Sequence, residues 1–308
     1  MTTARIINTI PIPAVTEDAM QSCWHTARRS SRRDGFSLVE LLAVIAILGV
    51  IVGMLLPAVQ RARESSRRMA CGNQVKNMGL AISTYESGRK AYPPGWDARP
   101  LSVSLPAGTA FAWSAYVLPY LEQSAIFAQI DFNKRWNDAG GNAAVADHDI
   151  PIYKCPSSVL QFPGKMDYGG IMGHSIVLSG HTDVIDNAWN SGILVAVNNR
   201  SIPTVRAASV TDGLSHTLLV AESVDRKGYS TSDQNIRWAW GANSFPQCEP
   251  FVNDFNVENI RSYHDGGALG VCADGSVMFL SNSLDRDILA ALCTRNCGEP
   301  NAPAGNTP

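Results

Sequence analysis

The stretch Gly35-Phe36-Ser37-Leu38-Val39-Glu40, followed by LLAVIAILGVIVGMLLPAV over Leu41–Val59, decides how this chain is read. The second part is 19 residues without a charge. As a helix it would rise about 28 Å, close to the hydrocarbon thickness of a bilayer. Ile, Val, Leu, Ala, Gly and Met cover every face, so no polar stripe is left to meet water. A single membrane-spanning helix is therefore expected, not a core helix. Arg28, Arg29, Arg32 and Arg33 precede the span, and Arg61, Arg63, Arg67 and Arg68 follow it. With both flanks basic, charge bias does not set the orientation. The run passes into Pro57-Ala58-Val59 and then a charged segment, which is not the ending of a cleaved secretory signal. Glu40 stands where the apolar run begins. A carboxylate entering hydrocarbon costs about 2–3 kcal/mol and calls for a partner.

Working outward, the 308 residues allow one large or two ordinary domains. Lys plus Arg is 25 against Asp plus Glu 27, which argues against a nucleic-acid binder that relies on a basic surface. Charged residues make up 17% of the chain, below the roughly 25% of soluble domains. With 25 Gly and 17 Pro, this points to a loop-rich extracytoplasmic protein. Eight Tyr, nine Phe and seven Trp supply a real core and exclude general disorder.

Past the span, residues 60–88 read as a continuing helix with Val75, Met78, Ile82 and Tyr85 on one stripe. Gly88 and Pro93-Pro94-Gly95 end it. Residues 114–130 read as a second, short amphipathic helix with Pro119 in its first turn. Strand-like runs follow at Ser175–Leu178, Ile193–Val197, Leu218–Ala221, Ile236–Trp240, Leu269–Ala273 and Val277–Leu280. Asp274-Gly275 between the last two favours a two-residue type I′ hairpin. Ser283 or Asp285 can cap a final helix whose Ile288, Leu289 and Leu292 face the core. The expected fold is α+β: an antiparallel sheet packed on the C-terminal half of a long N-terminal helix.

Arg32-Arg33-Asp34-Gly35-Phe36-Ser37-Leu38-Val39-Glu40-Leu41-Leu42 resembles the prepilin-type cleavage and methylation motif of type IV pilins and type II secretion pseudopilins. The resemblance implies a pilin-like fold with a transmembrane N-terminal helix. It also implies a cut between Gly35 and Phe36 by a prepilin peptidase, N-methylation of Phe36, and a role for Glu40 in assembly. The new amine at Phe36, in the same subunit or a neighbour, would supply the partner of Glu40. The implied division is a leader over 1–35, a transmembrane helix over 36–59, its extracytoplasmic continuation over 60–88 and a globular α+β domain over 89–308. A leader of 35 residues is long for such proteins, and Met20 offers a later start.

A second resemblance covers most of residues 34–300. His264, nine residues, then Asp274-Gly275 is similar to the C-terminal signature of a large prepilin-like family of unknown function, DUF1559. Arg67-Arg68-Met69-Ala70-Cys71, Tyr92-Pro93-Pro94-Gly95, Leu118-Pro119-Tyr120-Leu121-Glu122-Gln123, Tyr153-Lys154-Cys155-Pro156 and Thr211-Asp212-Gly213 match other stretches of it. Cys293 and Cys297 depart from the pattern.

Seven cysteines become six if Cys23 leaves with the leader, an even number that permits up to three disulfides in an oxidising compartment. Cys71 with Cys155 is one expected pair if the helix meets the loop before Pro156. Partners of Cys293 and Cys297 among Cys248 and Cys272 stay open. No His-Glu-x-x-His helix, Gly-x-Ser-x-Gly elbow or Walker loop occurs, and no catalytic residue is expected. His264 is read as bonding a loop backbone, and Asp274 and Gly275 as serving the turn. No cofactor is required. Calcium is one candidate, since Asp254, Asp265, Asp274 and Asp285 place carboxylates at loop ends.

The function expected is a structural subunit, not an enzyme, seated in the cytoplasmic membrane by one span with its globular part outside. Its expected partners are the prepilin peptidase, lipid, its own copies and other pseudopilins in a filament, with no nucleic acid. A membrane-anchored binding module that uses the motif only for export is the competing reading.

Overall fold

A computed structural model describes residues 36–97, 109–173, 191–197, 205–225, 237–241, 244–245, 252–253 and 260–296. Helix α1 runs without interruption over Leu38–Arg89, 52 residues, through the boundaries expected inside it. Pro57 lies within it and removes one main-chain hydrogen bond to the carbonyl four residues back. The chain divides there into two units, Met1–Pro57 and Ala58–Pro308.

The described part of the first unit is apolar helix whose large side chains all face outward. Leu38 is 73% exposed, Ile47 60% and Met54 72%. The helix is long and apolar enough to cross a membrane, and the most apolar window has none of its residues buried. In the second unit the helix has the opposite character. Cys71, Val75, Met78, Gly79, Ala81 and Ile82 are buried along one stripe, with Tyr85 packed at its end. The stripe expected from the sequence is present, and Cys71 extends it by one turn.

That stripe packs on a sheet. Strands β1 (Trp96–Asp97) and β3 (Ala196–Val197) form a small parallel pair. The main sheet takes β2 (Tyr168–Ile171), β4 (Leu218–Glu222), β5 (Ser244–Phe245), β6 (Gly267–Cys272) and β7 (Val277–Ser281) in the order β5-β2-β4-β6-β7. β2, β4, β6 and β7 are antiparallel to their neighbours, and β5 adds in parallel at the edge. Every residue of β6 is buried, and the strand alternates between two cores. Leu269 and Val271 join α1, while Ala268 and Cys272 join the C-terminal helix α5 (Arg286–Leu292). In β4 the alternation breaks: Leu218 and Ala221 face one core, Leu219 and Val220 the other. A register shift between Leu218 and Val220 accounts for the extra residue. Asp285 caps α5, accepting from the Asp287 and Ile288 amides. Leu289 and Leu292 are buried on it and Ile288 is half-buried.

Several expectations need correction. Residues 114–130 are three short pieces: α2 (Trp113–Tyr116), a 3-10 turn over Leu118–Leu121 containing Pro119, and α3 (Ser124–Phe127). Glu122 at φ 61° ends the middle piece. A fourth short helix, α4, spans Asn142–Ala146. The Ile236–Trp240 run gives only isolated bridges from Arg237 and Trp240, and Ser175–Leu178 lies outside the described residues. The Asp274 turn is not type I′, which needs positive φ at both central residues. The Gly275 amide donates to the Cys272 carbonyl at 2.9 Å, and Gly275 alone of the turn has positive φ, 85°. The connection is therefore a three-residue hairpin closed by a left-handed glycine.

Candidate functional site

The cluster built around His264 lies in the second unit. His264 precedes β6 on the turn that delivers the chain to the sheet, and its side chain is fully buried. Its Nδ1 donates to Glu64 Oε1 of α1 at 2.6 Å. Its Nε2 lies 3.2 Å from Glu222 Oε1 at the end of β4. A carboxylate beside each ring nitrogen favours the doubly protonated, charged form of the ring. Burial works against that charge. The contacts with Cys155, Glu222 and Glu64 outweigh it and push the His264 pKa up to about 10. The expected loop-backbone partner for this ring is thus replaced by two acidic side chains.

Glu222 is fully buried and spends its second oxygen on the Leu269 amide at 2.8 Å. Glu64 is partly exposed and also accepts from Arg67 at 2.6 Å, one turn along the helix. Beside this sandwich lie two sulfurs. Cys155 Sγ is 3.9 Å from His264 Nε2, 3.8 Å from Glu222 Oε1 and 2.9 Å from Cys71 Sγ. The expected approach of Cys71 and Cys155 is therefore present, with the two sulfurs unbridged. The hydrogen bond to Cys71, followed by burial, pushes the Cys155 thiol far up its scale. One donor atom from each of Cys71, Cys155, Glu222 and His264 falls within 4.8 Å of all the others.

A second buried network holds the first in place. Lys165 is almost fully buried, with Nζ 2.8 Å from Asp167 and 2.5 Å from Asp225. It also donates to the Leu160 carbonyl at 2.7 Å and to Ser158 Oγ. Asp225 accepts the amides of Val159 and Leu160, and Asp167 accepts that of Cys155 at 2.9 Å. Burial raises the Asp167 pKa in spite of Lys165. The loop after Cys155 is thereby tied to β2 and to the end of β4.

Outside the cluster, a pocket of about 490 Å³ opens onto Glu64 and His264. Arg67, Arg261, Tyr263 and Asn282 are among the residues that line it.

The chain matches the family described as Protein of unknown function (DUF1559) over residues 60–251, which takes in Glu64, Cys71, Cys155 and Glu222. The chain belongs to this family. The match to the Prokaryotic N-terminal methylation motif covers residues 30–56. The Type II secretion system core protein G of Pseudomonas aeruginosa is 25% identical over 77 residues, which are 25% of this chain. The chain spans about half, 54%, of that relative's length. No solved structure matches. This DUF1559 member is a pilin-like protein by its motif, its apolar helix and its α+β architecture.

The remaining sequence candidates do not converge. Gly35 and Asp254 lie outside the described residues, as do Cys248 and Cys297. Phe36 is exposed, and Glu40 Oε2 accepts the Ser37 amide at 2.9 Å. Asp274 spends its Oδ1 on Ser276, and Asp285 caps α5. Among the described residues, Asp265, Asp274 and Asp285 form no common group of possible ligands. Glu64, Glu222, Lys165, Asp167 and Asp225 do not stand out in the sequence. Acids that end or interrupt apolar strand-like runs, such as Glu222 after Leu218-Leu219-Val220-Ala221, are the one signal that points to them.

Proposed function

We propose that the chain is a pseudopilin-like structural subunit, held in the cytoplasmic membrane by its N-terminal helix with the α+β domain outside. A prepilin peptidase cuts between Gly35 and Phe36, and Phe36 is N-methylated. The helix then associates with copies of itself and with other pseudopilins in a filament serving secretion or a type IV pilus-like machine. The observation that carries this reading is the helix itself. From Leu38 to Val59 it presents large apolar side chains on all sides, and most of that stretch falls within the methylation-motif match. In lipid such a surface is satisfied by acyl chains or by like helices. Glu40, bonded to the Ser37 amide near the helix start, gains a cation if the Phe36 amine of a neighbour reaches it. That pairing would set the axial register of the stack.

N-terminal mass analysis of the chain isolated from membranes tests the first step. A mature terminus at methylated Phe36 is expected, and an intact leader or a different cut removes the reading. Glu40→Val should still be processed and inserted but should lower filament yield. Normal yield from that variant would remove the pairing argument alone.

The pocket beside Glu64 and His264 favours a second reading, a membrane-anchored binding module. It gains support if the processed chain stays monomeric and retains a small ligand through purification.

A further inference from the structure

The geometry points to a closed zinc-type metal site formed by Cys71, Cys155, Glu222 and His264. A tetrahedral metal with bonds of about 2.3 Å to sulfur and about 2.0–2.1 Å to nitrogen or oxygen sets its donors roughly 3.3–3.8 Å apart. Three of the six edges lie at or just outside that range: 3.2 Å from His264 Nε2 to Glu222 Oε1, 3.8 Å from Cys155 Sγ to Glu222 Oε1, and 3.9 Å from Cys155 Sγ to His264 Nε2. The edge between the sulfurs, 2.9 Å, has to open by roughly 0.9 Å, and the two edges from Cys71 to the His264 and Glu222 donors are each within 4.8 Å, so a small rotation of the Cys71 side chain adjusts all three.

The same 2.9 Å would have to close by a similar amount for a disulfide, so the sulfurs alone do not decide between the two. The other groups do. With a disulfide, Glu222 and His264 serve only as an ion pair beside it, whereas a metal also uses their convergence on the sulfurs. Each of three donors also has the outer support that metal ligands carry. Glu64 holds Nδ1 of His264 so that Nε2 faces the cluster. The Leu269 amide holds the second oxygen of Glu222, and Asp167 holds the Cys155 amide.

Two sulfurs, one imidazole and one carboxylate suit zinc, whereas calcium asks for six or more oxygens. Four protein donors leave no open position, which makes the site structural: it ties α1 to the loop before Pro156, to β4 and to the turn before β6. Binding releases three protons, one from each thiol and one from His264 Nε2, while Nδ1 keeps its proton on Glu64. No electron transfer is involved.

The test uses the full chain in detergent, isolated without added reductant or metal. Elemental mass spectrometry should find about one zinc per chain. Cys71 and Cys155 should be recovered as thiols that alkylate only after chelation. Cobalt(II) added to the stripped chain should give the visible absorption of tetrahedral, thiolate-bound cobalt. Glu222→Gln and His264→Gln should each weaken zinc binding by about tenfold or more, while Asp265→Asn, outside the ligand set, should not. A Cys71–Cys155 disulfide peptide in the isolated chain overturns the proposal, as does the lack of a thiolate–cobalt band when both thiols are free. The cobalt measurement is made on the wild-type chain, so it decides the matter even if a variant fails to fold.

Discussion

Two buried cations in this domain are each held between two carboxylates: Lys165 by Asp167 and Asp225, and His264 by Glu64 and Glu222. The surroundings differ. Lys165 donates to Asp225, a carbonyl and a hydroxyl, with Asp167 as a second ion-pair partner, and both of its aspartates are buried. The His264 sandwich has one partly exposed member, Glu64, which borders a pocket, and two sulfurs alongside. Among the described residues the charges of the lysine site are met by one another and by nearby main chain, so it serves as a staple. The histidine site keeps soft donors, and its outer carboxylate, Glu64, borders the pocket. Cys155 joins the two, with its amide on Asp167 and its sulfur facing His264. The staple therefore fixes one wall of the other site.

The largest effect expected from breaking this contrast comes from Lys165→Met. Two buried aspartates would then lack their cation, a change that costs about 3–5 kcal/mol when one member of a buried ion pair is removed. Denaturant unfolding of the detergent-solubilised chain measures it. A loss below about 1 kcal/mol, the worth of a surface pair, would show that the lysine is not a staple.

A smaller effect separates the two ends of the His264–Gly275 signature. Gly275 has φ 85°, where a β-branched side chain is strained. Gly275→Val should cost about 1–3 kcal/mol. His264 and its two carboxylates lie at the other end of β6, so the thiol and metal behaviour of the cluster should be unchanged. A variant that alters Cys155 alkylation as strongly as it alters stability would show the signature to be one cooperative unit.

How much of this can be read in the residues follows from where the information lies. α1, its inward stripe, the β6–β7 hairpin and the capped last helix are local patterns, and each is visible in a window of a dozen residues. β2 escapes such a reading because Tyr168-Gly169-Gly170-Ile171 looks like a turn. Gly170 is there because a Cβ would sit 2.6 Å from Trp113 Nε1, a constraint from a distant helix. The site is legible only in part. The approach of Cys71 and Cys155 can be anticipated once helix and loop are expected to meet. The partners of His264 cannot, since they come from positions 64, 155 and 222 and converge only through the sheet. Asp274 and His264 look like one motif because they are near in sequence, yet one makes a turn and the other a buried ion pair.

The third effect shows as a slope against pH. Burial raises the Asp225 pKa, but Lys165, Ser158 and Tyr263 outweigh it and hold the carboxyl below its ordinary value. A carboxylate held low in the folded state adds stability above its unfolded pKa, and that stability disappears as pH falls through the folded value. Unfolding measured from about pH 6 down to about pH 3 should therefore show a shallower acid decline for Asp225→Asn than for the wild type. An equal decline would place the acid-sensitive carboxylates elsewhere and detach the staple from acid unfolding.

The smallest effect should come from the exposed member of the histidine site. Glu64→Gln keeps an oxygen to accept from His264 Nδ1 and removes only the charge. Its side chain is 28% exposed and is shared with Arg67, so solvent and that neighbour dilute its attraction to His264. Glu222, fully buried on the other side, still faces the ring. The expected cost is about 1 kcal/mol or less, well under that of Lys165→Met. The two variants compared in one buffer decide whether the sandwiches differ in kind. If Glu64→Gln destabilised the domain as much as Lys165→Met, both would be staples of equal weight, and His264 would belong to the framework with no ligand of its own. If the cost is small, Glu64 is dispensable for folding, and its short bond to Nδ1 is better explained by the need to aim Nε2 at the two sulfurs.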